Sequence, residues 1–210
     1  MRIASSLLAA VTLAIAATGT VGAQPLPSGS ALLQPAWPLP ADTEAAVHAA
    51  GLTLSHTIMT TYHYHVHLDV IVYGQNVTVP ASVGIDEARK MGSPLHTHDT
   101  TGIVHIESGE DIPFTLGQFF TQWGQPLTAE RVGPIQLTPL ETVQLYVNGV
   151  RYEDDPAAYR FAHHDEVALV VGTRWMTPTV PQSYDFPPGL GRESEQSCCT
   201  SYLAEQHSQC

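Results

Sequence analysis

The strongest constraint on this chain is an alternation that begins at Tyr62. Tyr62, Tyr64, Val66, Leu68, Val70 and Val72 fall on one parity, and His63, His65, His67 and Asp69 on the other. Side chains on a β-strand point to opposite faces in turn, so the segment predicts a strand with one apolar face and one face bearing three histidines in a row. Gly74-Gln75-Asn76 reads as a turn and Val77-Thr78-Val79 as the returning strand of a hairpin, with Pro80 at its end.

Leu95 to Glu107 reads as a second hairpin about Asp99-Thr100-Thr101-Gly102, with Val104 and Ile106 on one face and Ile103, His105 and Glu107 on the other. Leu116, Phe119, Phe120 and Trp123 then recur at i, i+3, i+4 and i+7, the apolar stripe of a helix that packs on a sheet. Gly124 and Pro126 end it. Val143–Val147 and Glu166–Val171 read as strands, and Asn148-Gly149 is a hairpin turn. Asp42-Thr43-Glu44 opens a short alanine-rich helix that Gly51 closes.

One helix amid hairpins predicts an α+β fold, a mostly antiparallel sheet with one packed helix. The element order resembles a β-grasp (ubiquitin-like) roll, an analogy of fold alone; a β-sandwich is the alternative.

The first residues have the layout of a secretory signal. Arg2 is followed by an uncharged apolar stretch from Ile3 to Ala17, and Val21-Gly22-Ala23 supplies small residues for cleavage. The apolar core is shorter than the ~20 residues of a membrane span. The expected organisation is a signal peptide over 1–23, a proline-rich linker over 24–41, one α+β domain over 42–190 and a polar, cysteine-containing tail over 191–210. The expected location is periplasmic or secreted, with no membrane span after cleavage. All three cysteines, Cys198, Cys199 and Cys210, lie in the tail. The core therefore has no disulfide framework. The tail fits a disulfide with one thiol left over, or with His207 a soft copper(I) site.

Charge narrows the partners. Eight Lys and Arg stand against 20 Asp and Glu, a net charge of −12. Nucleic acid and anionic membranes call for a basic patch that this balance does not provide. A metal ion suits it, and no protein partner is indicated.

Of the 11 histidines, His63, His65 and His67 form one cluster, and His96 and His98 with His105 another. Neutral imidazole is the commonest metal-ligating side chain. Two histidines at i and i+2 on a strand point the same way and need a further ligand from a neighbouring strand. The six are the candidate metal ligands, as one site or two, for copper or zinc. Asp99 is the candidate to orient an imidazole through its second nitrogen, and Glu107 the candidate general base if the metal is catalytic. His163-His164 reads as a turn, and His48 and His56 as structural or solvated.

Known metal motifs do not fit. A cupin places a Glu four or five residues after His-x-His, whereas Glu107 follows His98 by nine. The metallo-β-lactamase pattern His-x-His-x-Asp-His is broken at Asp99, which comes one place early. An amidohydrolase barrel needs a longer chain, and a blue-copper site needs a cysteine between its histidines. Ser93 and Ser108 lie in no nucleophile elbow, and no phosphate-cradling glycine loop occurs.

The segments His63-Tyr-His-Val-His-Leu-Asp-Val, Val79 to Ile85, Leu95 to Ser108 and Phe114 to Gly124 together resemble a group of secreted, uncharacterised bacterial proteins, over about residues 62 to 172. The resemblance implies export and one compact domain, and it carries no activity. Three functions follow from the residues: an exported metal-binding protein for sequestration, delivery or sensing; a metal-dependent extracytoplasmic hydrolase or oxidoreductase; and a metal-free module whose histidines respond to pH.

Overall fold

The computed structural model describes residues 36–190. The expected signal peptide, the first part of the expected linker and the cysteine tail lie outside the described residues.

The alternating segment forms one long strand, β1 (Tyr62–Val72). It turns through Tyr73 and Gly74, both at positive φ, into β2 (Gln75–Val77). The turn is therefore a little earlier than the Gly74–Asn76 expected, and Gln75 and Asn76 already pair with β1. Two short pairs follow: β3 (Ile85–Asp86) with β4 (Met91–Gly92), and β5 (Leu95–His96) with β6 (Ile103–Ser108). After helix α2 (Leu116–Gln122) come β7 (Arg131–Val132), β8 (Ile135–Gln136), β9 (Glu141–Val147), β10 (Val150–Tyr152) and β11 (Glu166–Thr173). The first helix, α1 (Thr43–Ala49), precedes them all and is capped by the Asp42 side chain.

The main sheet has the order β10-β9-β11-β1-β6-β5, with β2 also on β1. Its central pair, β1 and β11, is parallel, and the other pairings are antiparallel. β6 runs beside the histidine-rich half of β1, Tyr62 to His67, and β2 beside its far end, Val70 to Val72. The result is a mixed sheet with two helices, in keeping with the α+β or sandwich classes and not specific to a β-grasp roll.

The expected helical stripe is the heart of the core. Leu116, Phe119, Phe120 and Trp123 are fully buried against Val66, Leu68, Leu145, Val167 and Leu169. A capping box between Thr115 and Gln118 starts α2 by satisfying backbone N–H groups that have no partner within the helix. In the described end of the proline-rich stretch, Trp37 is buried in the core with its ring 5.5 Å from that of Trp123.

The opposite face of the sheet carries the other parity of β1. Ile71, Ala168 and Val170 make a small apolar patch at one end, packed by Tyr146, Met176 and Val180. The histidines occupy the other end.

Candidate metal centre

Pairing across three strands assembles the histidines. His65 on β1 stands opposite His105 on β6, and His105 stands opposite His96 on β5. Directly opposed residues of antiparallel strands project to the same side. The row therefore puts three imidazoles in line on one face. One step along, His63 stands opposite Glu107. His98 follows His96 by two residues and turns back over His105, with ring centroids 4.5 Å apart.

His105 is the hub. Its ring lies 4.6 Å from that of His65, 5.5 Å from His96 and 6.3 Å from His63. Two overlapping donor sets result, each with ligand atoms within 4.8 Å of one another: His96, His98, His105 and Glu107; and His63, His65 and His105. His65, His96 and His105 are buried, His63 and Glu107 half-buried, and His98 exposed at the rim.

The backbone sets which nitrogens face inward. His96 Nδ1 lies 2.8 Å from the Ser93 carbonyl oxygen. A carbonyl only accepts, so Nδ1 carries the proton and Nε2 keeps its lone pair. That Nε2 faces His98 Nε2 at 3.1 Å. Thr97, between the two, is buried and pinned: its N–H donates to the Val83 carbonyl, its hydroxyl to the Pro80 carbonyl at 2.8 Å, and the Val83 N–H donates to its Oγ1 at 3.0 Å. From the opposite face of the sheet, Gln122 of α2 donates to the Leu95 carbonyl. The His-Thr-His segment is thus held from both flanks.

Burial governs the charge. Desolvation, and then the neighbouring imidazoles, depress His65 to about 3 and His105 to about 2. His96 falls to about 3 through desolvation and His98, against the pull of its bond to Ser93. His63 and His98 are also lowered, chiefly by burial. Near neutral pH the cluster is therefore uncharged, the protonation state that ligates metals. His105 Nδ1 is buried and has no hydrogen-bond partner. Glu107, 3.4 Å from His63 Nε2, is pushed up to about 7 by desolvation.

The remaining residues expected at the site are placed elsewhere or differently. His67 shares the face of His63 and His65 but belongs to neither donor set. Its Nδ1–H donates to Glu166 Oε2 at 2.8 Å and its Nε2–H to the Thr101 carbonyl at 2.9 Å. Burial pulls His67 down, but the bond to Glu166 and the charges of Glu166 and Asp69 outweigh it, and its pKa is raised. Asp99 Oδ1 accepts from the N–H and hydroxyl of Thr101 and closes the turn, and its charge acts on His98. For His96 the orienting group is the Ser93 carbonyl, a backbone atom that residue types do not reveal. His163 and His164 stay outside both donor sets, and His164 Nε2–H donates to the Leu190 carbonyl at 2.8 Å.

Among the described residues no helix is long and apolar enough to cross a membrane. Several groups of His, Glu and Asp side chains are arranged so that they can hold a metal ion. Compared with protein-family models, with curated proteins and with solved structures, the chain matches none.

Proposed function

We propose that the chain is an exported, histidine-rich metal-binding protein that holds copper or zinc for sequestration, delivery or sensing. The observation that carries this reading is the approach of His96 Nε2 to His98 Nε2 at 3.1 Å, with the His96 lone pair turned inward by Ser93. Two imidazoles that ligate one ion at ~2.0–2.1 Å bring their nitrogens to about that separation. His105 supplies the third nitrogen, and Glu107 or a second histidine completes the set. Nitrogen-rich donors suit zinc and copper(II) better than magnesium or calcium.

Export rests on the N-terminal pattern and the resemblance described above. The β-grasp reading is supported by strand order. Taken along the sheet, β6-β1-β11-β9-β10 places the first and last strands side by side and parallel, with α2 between the second and third in sequence.

One observation favours a metal-dependent enzyme as the second reading. Glu107 has its pKa near 7 and lies within the donor set, where a carboxylate can take a proton from a metal-bound water. The metal-free pH module is less well supported, because burial keeps His65, His96 and His105 neutral at pH 6.

The test is the metal content of the untagged mature protein by plasma mass spectrometry, beside a His96→Ala, His98→Ala variant. One tightly held copper or zinc, lost in the variant, is the expected result. No metal, and no uptake of either ion on reconstitution, overturns the reading.

A further inference from the structure

The histidine-bearing face carries a second set of donors beyond the cluster. His67 and Asp69 are two residues apart on β1 and share a face. The parallel register sets Glu166 of β11 beside His67. One nitrogen of His67 and one oxygen each from Asp69 and Glu166 lie within 4.8 Å of one another.

Three features distinguish this set from an ordinary ion pair. The Glu166 side chain is 0% exposed, and it hydrogen-bonds Asp69, whose pKa is raised by burial and by the charge and hydrogen bond of Glu166. Two carboxylates brought together in a buried place repel one another unless a proton or a cation lies between them. Next, His67 is oriented as metal-bound histidines are, with Nε2–H on the Thr101 carbonyl and Nδ1 turned to the carboxylates. Gly102 permits this, because a Cβ there would stand 2.9 Å from His67 Nε2. Last, the Tyr184 ring lies flat on His67, with centroids 3.7 Å apart and planes 7° apart, and screens it from solvent.

The scaffold on the β11 side is rigid. The Glu166 N–H donates to Asn148 Oδ1 at 3.0 Å, and Asn148 Nδ2–H donates to Asp165 Oδ1 at 2.9 Å. The turn between β9 and β10 therefore fixes the start of β11. Glu166 is held where two neighbouring carboxylates share a single imidazole.

We infer that His67, Asp69 and Glu166 form a second cation site, separate from the histidine cluster, for a divalent ion that favours oxygen donors with one imidazole, of which manganese(II) is the type. Two carboxylates and one nitrogen make a harder donor set than the cluster's imidazoles, so the two sites sort ions by softness. The entering ion displaces the proton on His67 Nδ1 and the proton shared between Asp69 and Glu166, both of which leave to solvent, while Nε2–H stays on Thr101. Half-buried Asp69 lies on the side from which water completes the coordination.

The experiment is titration of the untagged mature protein with manganese(II), reading free ion by its electron paramagnetic resonance signal. One equivalent is expected to bind to the parent and equally to the His96→Ala, His98→Ala variant, and at least tenfold more weakly to Asp69→Asn. In the parent, manganese is expected to broaden the ring resonances of His67 before those of His96, a readout that needs no variant to fold. Absence of binding, binding unchanged in a folded Asp69→Asn, or earlier broadening of His96 overturns the site. The inference does not depend on the copper or zinc reading, because the cluster variant separates the two.

Discussion

His65 and His105 meet edge to face across β1 and β6, with ring centroids 4.6 Å apart and planes at 90°. Both are buried and both are held neutral by that burial. An apolar side chain in place of His105 would fill the same space without stranding its Nδ1. The arrangement therefore has a cost in stability that packing does not explain, and this makes the cluster testable.

Replacing His105 by leucine separates a ligand from a packing residue. An unsatisfied buried polar group costs ~1–3 kcal/mol. His105→Leu is expected to leave the metal-free protein as stable as the parent or more so, and to remove copper and zinc binding. Urea denaturation and metal analysis of the same preparation check it. A loss of several kcal/mol with metal binding retained contradicts the assignment.

Metal should stabilise the fold. An ion that binds only the folded state adds ~2.7 kcal/mol at one hundred times its Kd. Thermal unfolding with and without zinc, and then with a chelator, is expected to show a rise in Tm that the chelator reverses. In His96→Ala, His98→Ala the rise is expected to vanish.

Acid should destabilise the metal-free protein from about pH 6.5 downward. His65, His96 and His105 have folded values depressed to between about 2 and 3, against 6.5 when unfolded. Below pH 6.5 the unfolded chain takes up protons that the folded chain refuses, so stability falls with pH until the folded values are reached. Glu107 acts in the opposite sense. Its folded value is raised to about 7 from 4.5, so its contribution is lost as pH rises through that interval. His67, raised, also favours the fold at lower pH. Three depressed imidazoles are expected to outweigh them. Urea midpoints measured from pH 8 to pH 4 test the sign, and a midpoint that rises on acidification refutes it.

Trp37 ties the proline-rich stretch to the core. Trp123 Nε1–H donates to its carbonyl at 3.3 Å, and Gln125 Nε2–H to that of Pro38 at 2.8 Å. Trp37→Ala is expected to cost ~3–5 kcal/mol, as for other buried aromatic truncations. Equilibrium denaturation measures it, and a loss below ~1 kcal/mol would mean that Trp37 adds little to the core.

The strands and α2 were legible because their signals are local. Alternation marked β1, and a four-residue stripe marked α2. The meeting of the two histidine clusters was not legible, because it depends on which strand pairs with β6 on each side. Parity placed His63, His65 and His67 on one face, but only the register shows that His67 falls opposite Ile103 and beside Glu166, away from the hub. The bond that orients His96 comes from the backbone of Ser93, which residue types do not mark. Glu166 read as the first residue of a core strand, and nothing in its neighbours marked a buried carboxylate. Trp37 was missed because proline removes the periodicity that would have revealed a buried residue.

The sheet ends in β10 on one side, and on the other in β5 and in β2 beside the far end of β1, strands of three, two and three residues. Its most adhesive sequences, the valine-rich β11 and the middle of β1, lie paired in the interior. Margins this short offer a foreign strand few free N–H and C=O groups to extend. The protein can thus keep a strongly β-forming centre while giving fibril growth little purchase.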